Sequence, residues 1–290
     1  MNYNFPTIFF GASEYVLPII EFLNKDYDLK LVITTEKNPT DAVPKYCIEN
    51  NISYVSIKNF RDENWNIDWK LKIENWKLKF AILADFSLLI SQNLIDLFPK
   101  GIINIHPSLL PQYRGPTPGL SAILNGEKTT GISIMLLDKE LDHGPLIGQI
   151  TSEIKPDDTS ATLYPRLFKE GTDLLKKVLP EYLEGKINPT PQDHSKATYT
   201  LPHLTKQTGF IDFDELLTTN PELFERKVRA YFPWPTVWTR YTSEGKLKGK
   251  IIKFLPEDKI QVEGKKPQSY NDFLNGYPEE KDFIEKLIEE

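Results

Sequence analysis

The sequence predicts an α/β protein: a mostly parallel, Rossmann-like sheet with flanking helices, followed by a small β-rich, OB-like carboxyl-terminal domain. Three observations carry that expectation. Runs such as Phe80-Ala81-Ile82-Leu83-Ala84 are apolar at every residue, as strands covered on both faces must be. Stretches with apolar residues at helical spacing separate these runs, the rhythm of strand–helix–strand units. After residue 186 prolines take over, and short strand-like runs follow them.

The elements follow in order. Thr7-Ile8-Phe9-Phe10 reads as a buried strand that stops at Gly11, and Ser13 fits the N-cap of a helix carrying Val16, Leu17, Ile19, Ile20 and Leu23 on one side. Leu31-Val32-Ile33 is the next strand, and a helix-sized segment follows Pro44. Phe80–Ala84 is a strand, Gln92–Phe98 a helix, and Ile102-Ile103-Asn104-Ile105 a further strand. Gly131–Leu137 and Leu146–Ile154 read as an antiparallel pair. Thr159–Leu183 has the length and spacing of a long helix, with Gly185 as its stop. Residues 188–206, with Pro189, Pro191 and Pro202, read as a linker between a domain over 1–187 and a smaller one over 207–290. In the latter, Gly209–Phe213 and Lys250–Phe254 are the expected strands.

Composition narrows the function. Of 290 residues, 40% are hydrophobic and 26% charged, an ordinary folded protein. The lone Cys47 cannot close an intramolecular disulfide, which fits a reducing compartment, and the start Met1-Asn2-Tyr3-Asn4-Phe5-Pro6 has no basic leader region. No apolar run approaches the ~20 residues of a membrane span. A cytoplasmic monomer with no membrane partner is therefore expected. Four scattered His and one Cys give no metal-ligand spacing, so no metal is expected. The net charge of −6 speaks against unspecific nucleic-acid binding, yet Arg226–Lys253 carries eight basic residues against Glu244 alone, a local charge of +7. Tyr231, Trp234, Trp238 and Tyr241 lie within that strip, which suits phosphate contact.

The informative stretch runs from Asn104-Ile105-His106-Pro107-Ser108-Leu109-Leu110-Pro111 through Arg114-Gly115 to Asp138-Lys139-Glu140-Leu141-Asp142-His143-Gly144. In an open parallel sheet, ligands bind outside the carboxyl ends of the strands. Asn104 and His106 end a strand there, and alternation puts both on one face. An amide donor beside an imidazole can stabilise charge developing on a carbonyl oxygen. A carboxylate such as Asp142 would orient the imidazole and favour its protonated form. The set suits acyl or formyl transfer to an amine, although an Asn-x-His at a strand end also serves as a plain structural pair, and Asp142-His143-Gly144 as a plain turn.

These residues resemble the formyltransferase superfamily that uses 10-formyltetrahydrofolate, and within it the branch directed at methionyl-tRNA. The resemblance rests on Asn104, His106, Ser108 to Pro111 and Asp142, and extends over Phe10 to Ser13, Asp158 to Ser160, Leu163-Tyr164, Gln192-Asp193, Ala197 to Tyr199 and Ile211 to Phe213. The tRNA-directed branch is indicated by Arg229-Ala230-Tyr231-Phe232-Pro233-Trp234-Pro235 and by Glu263-Gly264-Lys265-Lys266-Pro267. What the resemblance implies is formyl transfer from 10-formyltetrahydrofolate to the α-amine of initiator methionyl-tRNA. Asn104, His106 and Asp142 are then catalytic. Phe86, Leu88, Ile90, Ser108, Leu109, Leu110, Pro111 and Asp138 are expected around the folate, chiefly through backbone groups. Gly11, Ser13, Arg114, Gly115 and Arg229 are expected on the acceptor side, with the carboxyl-terminal domain binding tRNA. In tRNA-directed members a long basic loop follows the second strand; the corresponding Thr35–Pro44 is short and barely basic, so tRNA discrimination is arranged differently here. His143, where a small residue is usual, reads as a surface imidazole.

Three alternatives stay open at this level. A sugar-nucleotide N-formyltransferase shares the chemistry and fits the missing loop. A formyltetrahydrofolate hydrolase would need a regulatory domain ahead of the first strand, for which there is no room. A non-catalytic nucleotide-binding module is hinted at by Gly11-Ala12-Ser13, which lacks the Gly-x-Gly-x-x-Gly spacing.

Overall fold

Strand β1 (Pro6–Gly11) forms where Ile8, Phe9 and Phe10 have no exposed surface, so each stabilises the fold by roughly 2–3 kcal/mol relative to exposure. A computed structural model describes residues 3, 5–58, 69–201 and 204–288. Gly11, the last residue of β1, leaves no room for a side chain: a Cβ there would lie 2.7 Å from the Ala84 carbonyl oxygen. Ser13 caps the turn that leads into helix α1 (Leu17–Asp26), which buries Ile19, Ile20, Phe22 and Leu23. Strand β2 (Asp28–Thr34) and helix α2 (Ala42–Glu49) follow. The Glu36 carboxylate accepts the Val43 N–H at 2.7 Å, an N-terminal cap brought from outside α2. Strand β3 (Tyr54–Ser56), helix α3 (Trp69–Trp76), strand β4 (Phe80–Ala84), the single turn α4 (Gln92–Ile95) and strand β5 (Ile102–His106) complete this half. Next come α5 (Pro118–Leu124), β6 (Thr129–Leu136), β7 (Leu146–Glu153) and the long α6 (Ser160–Leu183).

Among the described residues, seven strands form one sheet in the order β3-β2-β1-β4-β5-β6-β7. The pairs β2–β3, β1–β2, β1–β4 and β4–β5 are parallel, and β5–β6 is antiparallel. One face carries a continuous core through Ile8, Phe10, Ile33, Leu83 and Ile102, against Leu94, Ile95 and Phe98. On the other face α6 runs close to the sheet at Gly171, where a Cβ would sit 3.0 Å from Ile105. That closeness explains the glycine inside a helix.

The chain divides into two units: Met1–Pro116, Thr130–Ser152 and Tyr164–Thr200 form the first, and Thr117–Thr129, Glu153–Leu163 and Leu201–Glu290 the second. The second unit holds α7 (Phe213–Leu216), α8 (Pro221–Ala230), β8 (Val237–Arg240), β9 (Ile251–Leu255), β10 (Lys259–Val262), β11 (Gln268–Ser269), α9 (Tyr270–Gly276) and α10 (Lys281–Ile288). Its four described strands form an antiparallel sheet ordered β11-β10-β9-β8, one fewer than the five of an OB barrel. Phe213, Phe224, Tyr241, Phe254 and Phe283 stack into its core.

Several local expectations are corrected. The grouping differs from boundaries at 187 and 207, because α5 packs on α8 and the Ser160 hydroxyl donates to the Ala230 carbonyl at 2.6 Å. Residues 188–200 are no linker: Thr190 exchanges two backbone bonds with Leu146, both 2.8 Å, and Thr200 N–H reaches Arg114 at 2.9 Å. Pro202, Glu289 and Glu290 lie outside the described residues. Gly209–Phe213 is not a strand; Asp212 caps α7 through the Asp214 N–H, and only Phe210 bridges to Trp238. The helix expected over 92–98 is one turn, closed by the Asp96 N–H to the Gln92 carbonyl at 2.9 Å. No described helix is long and apolar enough to cross a membrane.

Candidate active site

The site is built on the last residues of β5. Alternation sends Ile103 and Ile105 to one face and Ile102, Asn104 and His106 to the other. Asn104 lies between Leu83 on β4 and Met135 on β6, and His106 lies opposite Ser133 on β6, so strand pairing places both side chains before any loop contributes. Both are buried, at 6% and 4% exposure, as is Asp142 at 8%.

The loop after β5 is braced from within. Ser108 donates its hydroxyl to the Gln112 carbonyl at 2.7 Å. Ser133 donates to the Ser108 carbonyl at 2.6 Å and accepts the Leu110 N–H at 3.0 Å. The Gln149 amide completes the brace on the Leu110 carbonyl at 2.8 Å. The Ser108 hydroxyl and the Leu110 backbone, engaged at both its N–H and its carbonyl, therefore hold the loop. Leu109 and Pro111 are half-buried beside them.

Three side chains converge at this loop. Asp142 presents Oδ1 to the Asn104 Nδ2 donor at 3.3 Å and Oδ2 to the Gly115 N–H at 2.8 Å. His106 Nδ1 stands 3.6 Å from the same Oδ2. Its Nε2 lies 3.0 Å from the Tyr113 carbonyl oxygen. A carbonyl only accepts, so Nε2 carries the proton. A neutral ring would then turn a lone pair toward the carboxylate, whereas a protonated ring turns a donor to each partner. Gly115 reaches Asp142 from φ +119, where a Cβ would meet the Thr200 hydroxyl at 2.4 Å.

A second polar chain, which sequence reading took for linker and surface, lies behind Asp142. Gln192 is buried, and its Nε2 donates to the carbonyls of Asp142 and Gly144 at 2.9 and 2.8 Å. Its Oε1 accepts from Arg114 Nη2 at 2.7 Å. The same Nη2 meets His194 Nδ1 at 2.8 Å, and the His194 ring stacks on His143 at 3.9 Å between centroids. His143 reaches Asp138 at 2.6 Å, so it is no idle surface imidazole. The only signal in the sequence was the Gln192-Asp193 pair.

The other expected residues fall as follows. Phe86, Leu88 and Ile90 are half-buried against the core below β4, while Leu89 between them is 83% exposed. Ser13, at φ +69, donates to Asp85 at 2.5 Å, and its N–H is held by Glu36 at 3.0 Å. The Gly11–Ser13 turn is thus filled by carboxylates of this chain. Arg114 is buried and turned toward Gln192 and His194. Arg229 belongs to the second unit, paired with Glu225 and bonded to the Asp158 carbonyl at 2.9 Å. In the basic strip Tyr231 and Tyr241 are core residues, Lys248 pairs with Glu244, and Trp234 is 52% exposed. No described group of three or more His, Cys, Asp or Glu could hold a metal ion.

The formyl transferase family matches residues 9–179. A methionyl-tRNA formyltransferase from Chloroflexus aurantiacus (strain ATCC 29366 / DSM 635 / J-10-fl) is 44% identical over 159 residues, 55% of this chain and 50% of that one. This chain thus spans about half the length of that relative. Over nearly full length, 93% of this chain and 96% of the other, a methionyl-tRNA formyltransferase from Dictyoglomus thermophilum is 30% identical. Among solved structures, a 4-N formyltransferase from Francisella tularensis shares the fold at TM-score 0.67 and 20% identity, covering 87% of this chain and 98% of that one. A phosphoribosylglycinamide formyltransferase from Bacillus halodurans shares it at TM-score 0.54 and 24% identity, covering 62% of this chain and 96% of that one.

Proposed function

This chain belongs to the formyl transferase family, and we propose that it transfers the formyl group of 10-formyltetrahydrofolate to the α-amine of initiator methionyl-tRNA. The observation that carries the reading is the convergence of Asn104, His106 and Asp142 within 3.3 to 3.6 Å. No acyl-enzyme is needed: the amine nitrogen attacks the formyl carbon, the carbon–nitrogen bond to folate breaks, and the proton lost by the amine must be accepted. Folate supplies an activated formyl carbon. The Asn104 amide and the His106 Nε2–H stabilise the charge that develops on the formyl oxygen, the latter by exchanging the Tyr113 carbonyl for it. Asp142 keeps His106 in its donor form, takes up the amine proton, directly or through water, and passes it to the departing folate nitrogen, which leaves protonated.

The half-buried apolar row Phe86, Leu88 and Ile90 suits the flat pterin, and backbone groups of Leu109, Pro111 and Asp138 suit its polar edge. The acceptor is drawn by the second unit. The outer face of its sheet sets Trp238 directly opposite Lys253 on β9, with Lys206 Nζ 5.4 Å from the indole. The full-length relative from Dictyoglomus supports tRNA rather than a sugar nucleotide as the acceptor.

The test offers purified protein with 10-formyltetrahydrofolate three acceptors side by side: initiator methionyl-tRNA, dTDP-linked amino sugars and UDP-linked amino sugars. Formylated tRNA with untouched sugars is expected. Formylated sugar with unmodified tRNA overturns the choice of acceptor.

A further inference from the structure

We propose that Gln192 is a positioning residue for the reaction, locking the turn that carries Asp142 from a segment fifty residues away; this rests on the reading of Asp142 as the group that receives the amine proton. Asp142 sits at φ +47, a left-handed conformation that a non-glycine residue keeps only where its surroundings impose it. Gly144, two residues on, approaches β6 so closely that a Cβ would lie 2.0 Å from the Leu136 carbonyl oxygen. Between these constraints the carbonyls of 142 and 144 point to one buried amide, and Gln192 donates to both.

Which way the amide faces is fixed by its neighbour. Arg114 has donors only, so the Gln192 atom that meets its Nη2 at 2.7 Å is the oxygen. The NH₂ group therefore has one orientation available, toward Asp142 and Gly144. His194 Nδ1 accepts from the same Nη2 and, stacked on His143, holds that nitrogen beside Gln192. Two tethers on Asp142 thus start from adjacent residues. Arg114 acts through Gln192 on the Asp142 backbone, and Gly115 acts directly on its carboxylate at 2.8 Å. A carboxylate placed by such a ring is held to the fraction of an ångström that proton transfer demands.

The test compares Gln192→Met, which removes donor and acceptor, with Gln192→Glu, which keeps the acceptor for Arg114 but loses the donors to both carbonyls. Either variant should lower kcat by about 10- to 100-fold while the KM values for folate and acceptor stay within about threefold. In an Asp142→Asn background, Gln192→Met should cost less than about twofold further, since its effect passes through Asp142. Amide exchange gives a readout free of catalysis: the Gly115 N–H should exchange at least about tenfold faster in either variant. Equal fractional losses in both backgrounds, or unchanged Gly115 protection, overturn the inference. Were the unaltered protein to formylate no acceptor, the function would fall, while Gly115 exchange would still decide the positioning role.

Discussion

His106 Nε2 and the Tyr113 carbonyl oxygen stand 3.0 Å apart, so this imidazole is committed on both edges, to that carbonyl and to Asp142. Tyr113 reaches it from φ +57, where a tyrosine sits only under constraint. The constraint is visible in the Tyr113 N–H, bonded to the Thr198 hydroxyl at 2.9 Å. The donor that we propose for the formyl oxygen is therefore kept aimed and occupied by the protein's own carbonyl.

That arrangement predicts a spectroscopic result. In ¹⁵N-histidine spectra of the free protein, Nε2 of His106 should be protonated and hydrogen-bonded. Addition of a folate carrying a formyl group should shift that resonance as the carbonyl partner is exchanged. A His106 signal protonated on Nδ1 alone would contradict the geometry.

Gly144→Ala tests the turn from its other end. The added methyl would press on the Leu136 carbonyl, which belongs to the sheet and cannot withdraw. Urea unfolding should show a loss of about 1–3 kcal/mol, and kcat should fall at least about tenfold as Asp142 shifts. Full activity with unchanged stability would mean the turn is looser than described.

The outer face of the second sheet makes a prediction about acceptor binding. Lys253 is exposed on β9 opposite Trp238, with no carboxylate in ion-pair range among the described residues. Lys253→Ala should weaken tRNA binding and lower the slope of log K against log salt by about one, leaving kcat at saturating tRNA unchanged. A binding curve and salt slope identical to the unaltered protein would remove this face from the tRNA footprint.

Cys47 gives a pH dependence with a definite sign. Burial pushes its thiol up to about 11, with Glu36 adding to the shift. The native state keeps a proton that the unfolded chain has released above about 9, so Cys47 contributes stability below that pH and loses it as pH rises toward about 11. Unfolding free energy measured at pH 8, 9, 10 and 11 should fall less steeply over this range in Cys47→Ala than in the unaltered protein. At pH 8 the folded protein should resist iodoacetamide and react once denatured.

The sheet was legible because its strands announce themselves locally: Phe80–Ala84 is apolar throughout, and alternation alone puts Asn104 and His106 on one face. Helix α5 was hidden by Pro116-Thr117-Pro118-Gly119, which reads as a breaker although proline is at home in a first helical turn. Gln192 was missed for a different reason. Its partners are carbonyls at 142 and 144, reached across fifty residues, and such contacts leave no period in the sequence. Pro189 and Pro191 made that segment look like a tether, when their fixed backbone delivers a strand-like edge to Leu146 and an amide to the site.

The most direct measurement is single-turnover formyl transfer to initiator methionyl-tRNA by Asp142→Asn and His106→Ala, with both substrates saturating and thermal unfolding recorded beside it. Each variant should remain folded and lose at least about 10²–10³ in rate. Either one turning over at near the unaltered rate would contradict the assignment of the reaction to these side chains.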